Sequence, residues 1–174
     1  MSEDAWIQTF RDIHARGLAA LAARRHSPST LFPPGDVQFL ASIGCSPQEL
    51  FDFIEDLQDY GEPDLETALA TQAIRRDFFL KVQGGKPSSL KMPMNELPPK
   101  SDAVDGISWL PRLIVKARLK LRGEMPDDLM YGCGGDRPFL RRMRSSLPEF
   151  LTLVRECGDD DRRIIDTLKS GARL

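Results

Sequence analysis

A chain of 174 residues, 41% hydrophobic and 29% charged, has the length of one domain or two small lobes and the composition of a globular protein. Its apolar runs are only a few residues long, which excludes a membrane-spanning helix. The net charge of −2 is unevenly spread: positions 112–144 hold nine basic and four acidic residues, interleaved with apolar ones. That local field suits a small anion better than a nucleic-acid stripe. The start, Met1-Ser2-Glu3-Asp4, is acidic where a secretory signal is basic, so a cytoplasmic protein is expected.

Taken in chain order, the first helix is predicted over roughly Ala5–Arg24, with Trp6, Phe10, Ile13 and Leu21 at helical spacing. Pro28, Pro33, Pro34 and Gly35 then predict a loop, after which Asp36 would cap a short helix bearing Phe39, Leu40 and Ile43. Gly44 closes it. Ser46-Pro47-Gln48-Glu49 is a capping box opening a helix to about Tyr60. Asp64 would cap a helix reaching Val82. Residues 84–106 hold four prolines and read as a connector wrapping the surface. A second set of helices begins at Ser108-Trp109 and runs to Leu121, with Gly123 as its stop. A Gly-containing loop, Met125–Gly135, leads to Asp136 as the next expected cap. Ser146-Leu147-Pro148-Glu149 repeats the capping box, and Asp159–Asp161 starts a last helix ending near Ser170-Gly171.

The two halves match each other. Asp36–Leu57 over Asp136–Cys157, with no gap, pairs identical residues at Asp36/Asp136, Phe39/Phe139, Leu40/Leu140, Ser46/Ser146 and Glu49/Glu149. Six further positions keep apolar character, among them Ile43/Met143 and Ile54/Val154. A slightly different shift sets His14-Ala15-Arg16 against Lys116-Ala117-Arg118. The expected architecture is therefore all-α. It has two tandem four-helix repeats related by internal pseudo-symmetry and no sheet. Their bounds are 1–83 and 107–174, joined by the connector 84–106 and packed as one globular domain.

Several residues stand out chemically. Arg76 falls within the stripe Leu65, Leu69, Ala73, Phe79 and Leu80, with Gln72 one turn earlier. A guanidinium there needs a protein carboxylate or carbonyl, an anionic ligand, or a path by which it snorkels to solvent. Lys116 and Arg118 flank the apolar face of the helix at 109–121, where they either cover apolar neighbours or reach into a cleft. Val115 and Leu119 make that helix apolar on a second side, as for a helix central in the fold or at a subunit contact. Tyr131-Gly132-Cys133-Gly134-Gly135 lacks the Lys-Ser or Lys-Thr of a phosphate loop, and Asp136 behind it would repel an anion. His14, Tyr131 and Cys133 are the candidates for catalysis, weak ones because nothing in the spacing brings a base to the thiol. The three cysteines and two histidines are too scattered for a metal site, and no cofactor is implied. The helix-turn-helix look of Gln38–Ile54 is offset by Asp52, Glu55 and Asp56, which would repel DNA.

Leu110-Pro111-Arg112, Lys116-Ala117-Arg118, Tyr131-Gly132-Cys133, Asp136 and Phe139-Leu140 resemble a bacterial family known as domain of unknown function 5069. Phe39-Leu40-Ala41-Ser42-Ile43-Gly44 and Arg75-Arg76-Asp77-Phe78-Phe79-Leu80 are similar to it as well. The resemblance covers most of the chain and implies a bacterial, helical, cytoplasmic protein. It implies no activity. The residues thus point to a small anionic metabolite bound or transformed between the two repeats by Gln72, Arg76, Lys116 and Arg118. The alternative is an interaction module or homodimer with no catalysis.

Overall fold

The computed structural model describes residues 3–24 and 26–171. The described residues are mostly helical, with nine α-helices, one 3-10 turn and one small hairpin. They form two compact units, Met1–Pro87 and Ser88–Leu174.

The first unit is built on α1 (Glu3–Ala23). Trp6, Phe10, Ile13 and Leu21 are buried along one stripe of it, as their spacing requires. Each fully buried side chain of this size contributes about 1.5–3 kcal/mol of transfer free energy. Gly17 lies where α4 (Pro47–Tyr60) comes closest: a Cβ at Gly17 would stand 2.7 Å from Ile54 Cδ1. The proline-rich stretch expected as loop holds a short helix, α2 (Pro28–Leu31), which opens at Ser27, whose N–H donates to Thr30 Oγ1 at 2.9 Å. The next helix, α3 (Pro34–Ser42), starts three residues earlier than expected, with Pro33 in the cap position given to Asp36. Proline's fixed φ suits the first turn of a helix, so the same residues that look like breakers act as starters here. Asp36 consequently sits inside α3 rather than capping it, and its carboxylate accepts from Arg16 Nη2 at 2.9 and 3.0 Å. The Ser46 capping box and the Asp64 cap of α5 (Leu65–Lys81) form as the sequence indicates.

In the second unit most of the proline-rich segment is tied down. Met92 N–H donates to the Glu124 carbonyl at 3.1 Å, Ser88 Oγ to Glu124 Oε1 at 2.9 Å, and Arg112 Nη1 to the Pro98 carbonyl at 2.8 Å. The expectation of no sheet is corrected by a minimal hairpin. In it β1 (Ala103–Val104) pairs antiparallel with β2 (Ile107–Ser108). Two residues per strand are too few to show alternation. The signal was the turn Asp105-Gly106, whose φ values of 50° and 77° match the tight turn that Asp-Gly favours. Asp105 then accepts from Arg162 at 3.0 Å and Lys169 at 3.1 Å.

Helix α6 (Leu110–Arg122) buries Leu110, Leu113 and Ala117 and packs on α8 (Leu147–Cys157), which buries Phe150, Leu151 and Val154. Between them in sequence lies α7 (Asp136–Arg142), and α9 (Asp161–Ser170) follows Gly158. Asp136 is the first residue of α7 and makes no cap, because its carboxylate is engaged elsewhere.

Candidate functional site

Two places in the second unit gather polar groups. The first is a cluster centred on Asp136, which is 0% exposed, with the partly exposed Cys133 at its edge. Its Oδ1 accepts from Trp109 Nε1 at 2.9 Å. Its Oδ2 accepts from Gly132 N–H at 2.9 Å and pairs with Lys116 Nζ, itself buried. Lys116 Nζ also stands 3.4 Å from Cys133 Sγ. Arg137 Nη1 donates to the Gly132 carbonyl at 2.8 Å and Tyr131 Oη to the Leu147 carbonyl at 2.8 Å. Gly135 serves packing: a Cβ there would run into the Trp109 ring. Burial, with the Asp136 charge adding to it, raises the Tyr131 phenol well above its ordinary value. It is a buried hydrogen-bond donor, poorly suited to giving up its proton.

The second place is an open groove of about 340 Å³ between α8, α9 and the turn joining α7 to α8. Leu153 and Leu168, both buried, give it an apolar floor, and Met143 and Pro148 add to the wall. Ser145, Thr152 and Thr167 supply hydroxyls, and Glu149 lines it while bonded to Ser146 N–H at 2.8 Å. Arg144 stands at the rim with no carboxylate partner among the described residues. Its φ of 56° is uncommon for a residue with a side chain and costs about 1–2 kcal/mol. The corresponding left-handed residue of the first unit is Gly44, φ 68°. The turns are wired alike: Cys45 N–H donates to the Leu40 carbonyl at 3.0 Å and Ser145 N–H to the Leu140 carbonyl at 2.9 Å.

No family model matches this chain, and neither does any curated protein or solved structure. The site therefore rests on its own geometry.

The residues singled out from the sequence hold the following positions. Gln72 is buried in the first unit and its Nε2 donates to the Ile43 carbonyl at 2.9 Å. Arg76 is half-buried over the Trp6 ring, 4.8 Å from its centroid. The fully buried guanidinium of α5 is its neighbour Arg75, which donates to Gln83 Oε1 at 2.8 Å and stacks 5.2 Å above Phe79. Leu80, read as part of the buried stripe, is 41% exposed, so the buried face of α5 lies about one position away from the one expected. Lys116 is spent on Asp136. Arg118 clasps the end of α8, donating to the Gly158 carbonyl at 2.7 Å and to Asp161 at 2.5 Å. That is a cation at a helix C-terminus, a favourable structural placement. Gln72 and Arg76 belong to the first unit, Lys116 and Arg118 to the second.

His14 is buried in the first unit, its Nε2 has no hydrogen-bond partner among the described residues, and burial lowers its pKa. Cys133 and Tyr131 come near the Asp136 cluster, in the unit that does not contain His14. Leu119 is buried and Val115 half-buried, so the second apolar side of α6 is already covered to that extent. Among the described residues no three of His, Cys, Asp and Glu gather closely enough to hold a metal ion. Sequence reasoning missed Arg144. The available signal was its alignment with Gly44, since a position that is glycine in one half and arginine in the other carries a conformational cost in the second.

Proposed function

We propose that this protein binds a small anionic organic molecule, and that the site is the α8–α9 groove with Arg144 as its anchor. The observation that carries the reading is a guanidinium with no carboxylate partner among the described residues, on a residue of left-handed backbone at the mouth of an apolar-floored groove. Strain of this kind persists where the surroundings impose it, and it clusters at ligand sites. The volume lies at the small end of metabolite pockets. Arg144 would grip a carboxylate or phosphate, Thr152 and Thr167 would orient it, and Leu153 and Leu168 would receive an apolar body. This moves the site from a cleft between repeats into the second unit, because Gln72, Lys116 and Arg118 already hold internal partners.

The reading includes a duplication. Support comes from the paired left-handed residues 44 and 144, the capping boxes at Ser46 and Ser146, and the pairs Arg16–Asp36 and Lys116–Asp136 at one common shift. In the first unit the turn at Gly44 is filled: a Cβ there would lie 2.7 Å from Phe79 Cγ, and Gln72 occupies the Ile43 carbonyl. Arg144 excludes a ring at that distance, which leaves room for a ligand. Kinship with domain of unknown function 5069, and with it a bacterial, cytoplasmic setting, belongs to the same proposal.

The test is calorimetry and thermal shift with short-chain carboxylates, aromatic carboxylates and organic phosphates, each beside an uncharged analogue. At least one anion should stabilise the wild type, its uncharged analogue should not, and Arg144→Ala should weaken binding at least tenfold. No stabilisation by any anion, or binding indifferent to Arg144→Ala, would overturn the reading.

A further inference from the structure

We infer that Lys116 and Cys133 form a redox-dependent covalent bridge, a site of modification separate from the groove. Three observations on the Asp136 cluster carry it. Lys116 Nζ lies 3.4 Å from Cys133 Sγ, and with Lys116 only 2% exposed its ammonium is held against the sulfur. Cys133 is partly exposed while Cys45 and Cys157 are buried, so an oxidant in solution reaches Cys133 first. Burial also pushes the Cys157 thiol up, away from its reactive thiolate form. Finally, Asp136 is paired with the same Lys116 Nζ and is placed to take its proton.

The chemistry balances with one equivalent of hydrogen peroxide. The Cys133 sulfur attacks the peroxide O–O bond, giving a sulfenic acid and water; sulfur is oxidised by two electrons and peroxide reduced by two. A proton passes from the Lys116 ammonium to the Asp136 carboxylate, leaving a neutral amine. The amine lone pair attacks the sulfenic sulfur, an S–N bond forms, and the S–O bond breaks. The departing hydroxide takes the second amine proton and leaves as water. The product is a sulfenamide between residues 116 and 133, with Asp136 neutral. A thiol reductant attacks the sulfur and restores both side chains. Because the bridge abolishes the charge on Lys116 and on Asp136 together, no buried ion is left unpaired. That makes it tolerable inside the fold where loss of either charge alone would not be.

The experiment treats the full chain with hydrogen peroxide at low molar excess, followed by intact mass measurement and peptide mapping with and without dithiothreitol. The expected result is a linked peptide pair containing Lys116 and Cys133, lighter than the sum of its parts by two hydrogens and lost on reduction. It should be absent from Cys133→Ser. Lys116→Arg keeps a cation but has no nucleophilic amine, so it should stop at a sulfenic acid trapped by dimedone. Should Lys116→Arg fail to fold, Cys133→Ser with the wild-type mapping decides alone. Dimedone-trapped or over-oxidised Cys133 in the wild type without the linked pair would overturn the inference, as would oxidation that spares Cys133.

Discussion

Lys116 and Asp136, twenty residues apart, meet as a buried ion pair, while Arg16 and Asp36, also twenty residues apart, meet near the surface with Arg16 58% exposed. The same sequence spacing thus yields two pairs of different energetic meaning. Lys116→Met would strand the Asp136 carboxylate with only Trp109 and Gly132 as donors and should cost about 3–5 kcal/mol. Arg16→Met removes a screened surface contact and should cost about 0–1 kcal/mol. Urea unfolding of both variants checks this. Equal losses would mean the buried pair is solvated in solution.

The helices were legible wherever an end carries its own chemistry. Ser46, Ser146, Asp64, Gly61 and Gly123 mark their boundaries because caps and left-handed stops are local. Proline was ambiguous, since Pro28 and Pro34 start helices with the same ring that breaks others. The hairpin at 103–108 was hidden by its length. The candidate site was hardly legible. Whether Arg75 or Arg76 turns inward depends on a rotation of about one residue, and amphipathic spacing does not resolve that on a helix with polar groups on every side. Lys116 reads as a cation at the edge of an apolar face and Asp136, separately, as a helix cap, so nothing in the sequence joins the two. Only packing against Trp109 reveals that the carboxylate turns inward.

The two capping boxes offer a matched comparison. Ser46 and Ser146 each accept from the N–H of the glutamate three residues on, at 3.2 and 3.4 Å, and each glutamate carboxylate accepts in turn from the serine N–H. Ser46→Ala and Ser146→Ala should each lose about 1 kcal/mol. Glu149 lines the groove, so Ser146→Ala should also change ligand response while Ser46→Ala leaves it intact. Thermal melts with and without the stabilising anion separate the two effects.

Residues 44 and 144 should respond oppositely to substitution. Gly44→Ala adds a Cβ 2.7 Å from the Phe79 ring at a φ that disfavours it, so stability should fall by more than about 1 kcal/mol. Arg144→Gly relieves left-handed strain and should raise stability by up to about 1 kcal/mol. If Arg144 anchors a ligand, the same change should weaken binding, a trade of function against stability. A destabilised Arg144→Gly would show that the guanidinium supports the fold instead.

Acid should act on the first unit through two groups of opposite sign. Burial lowers the His14 pKa below 6.5, so as pH falls through about 6.5 the unfolded chain takes up a proton that the folded chain refuses. Stability therefore drops on acidification. Asp52 runs the other way. Desolvation raises its carboxyl to about 6 from 3.8, against the stabilising bond from Gln48, and Glu55, Glu49 and Asp56 add to the rise. Between pH 6 and 3.8 the folded chain is the one that binds the proton, so Asp52 adds stability as pH falls and removes it as pH rises through 6. Asp52→Asn should then be more stable than the wild type at pH 7, by on the order of 1–2 kcal/mol after screening, and nearly equal to it at pH 4. His14→Leu should flatten the acid loss that remains. Unfolding free energies of the three proteins at pH 7, 5 and 4 test both signs. If Asp52→Asn gains nothing at pH 7, the Asp52 carboxylate is solvated and carries no such penalty.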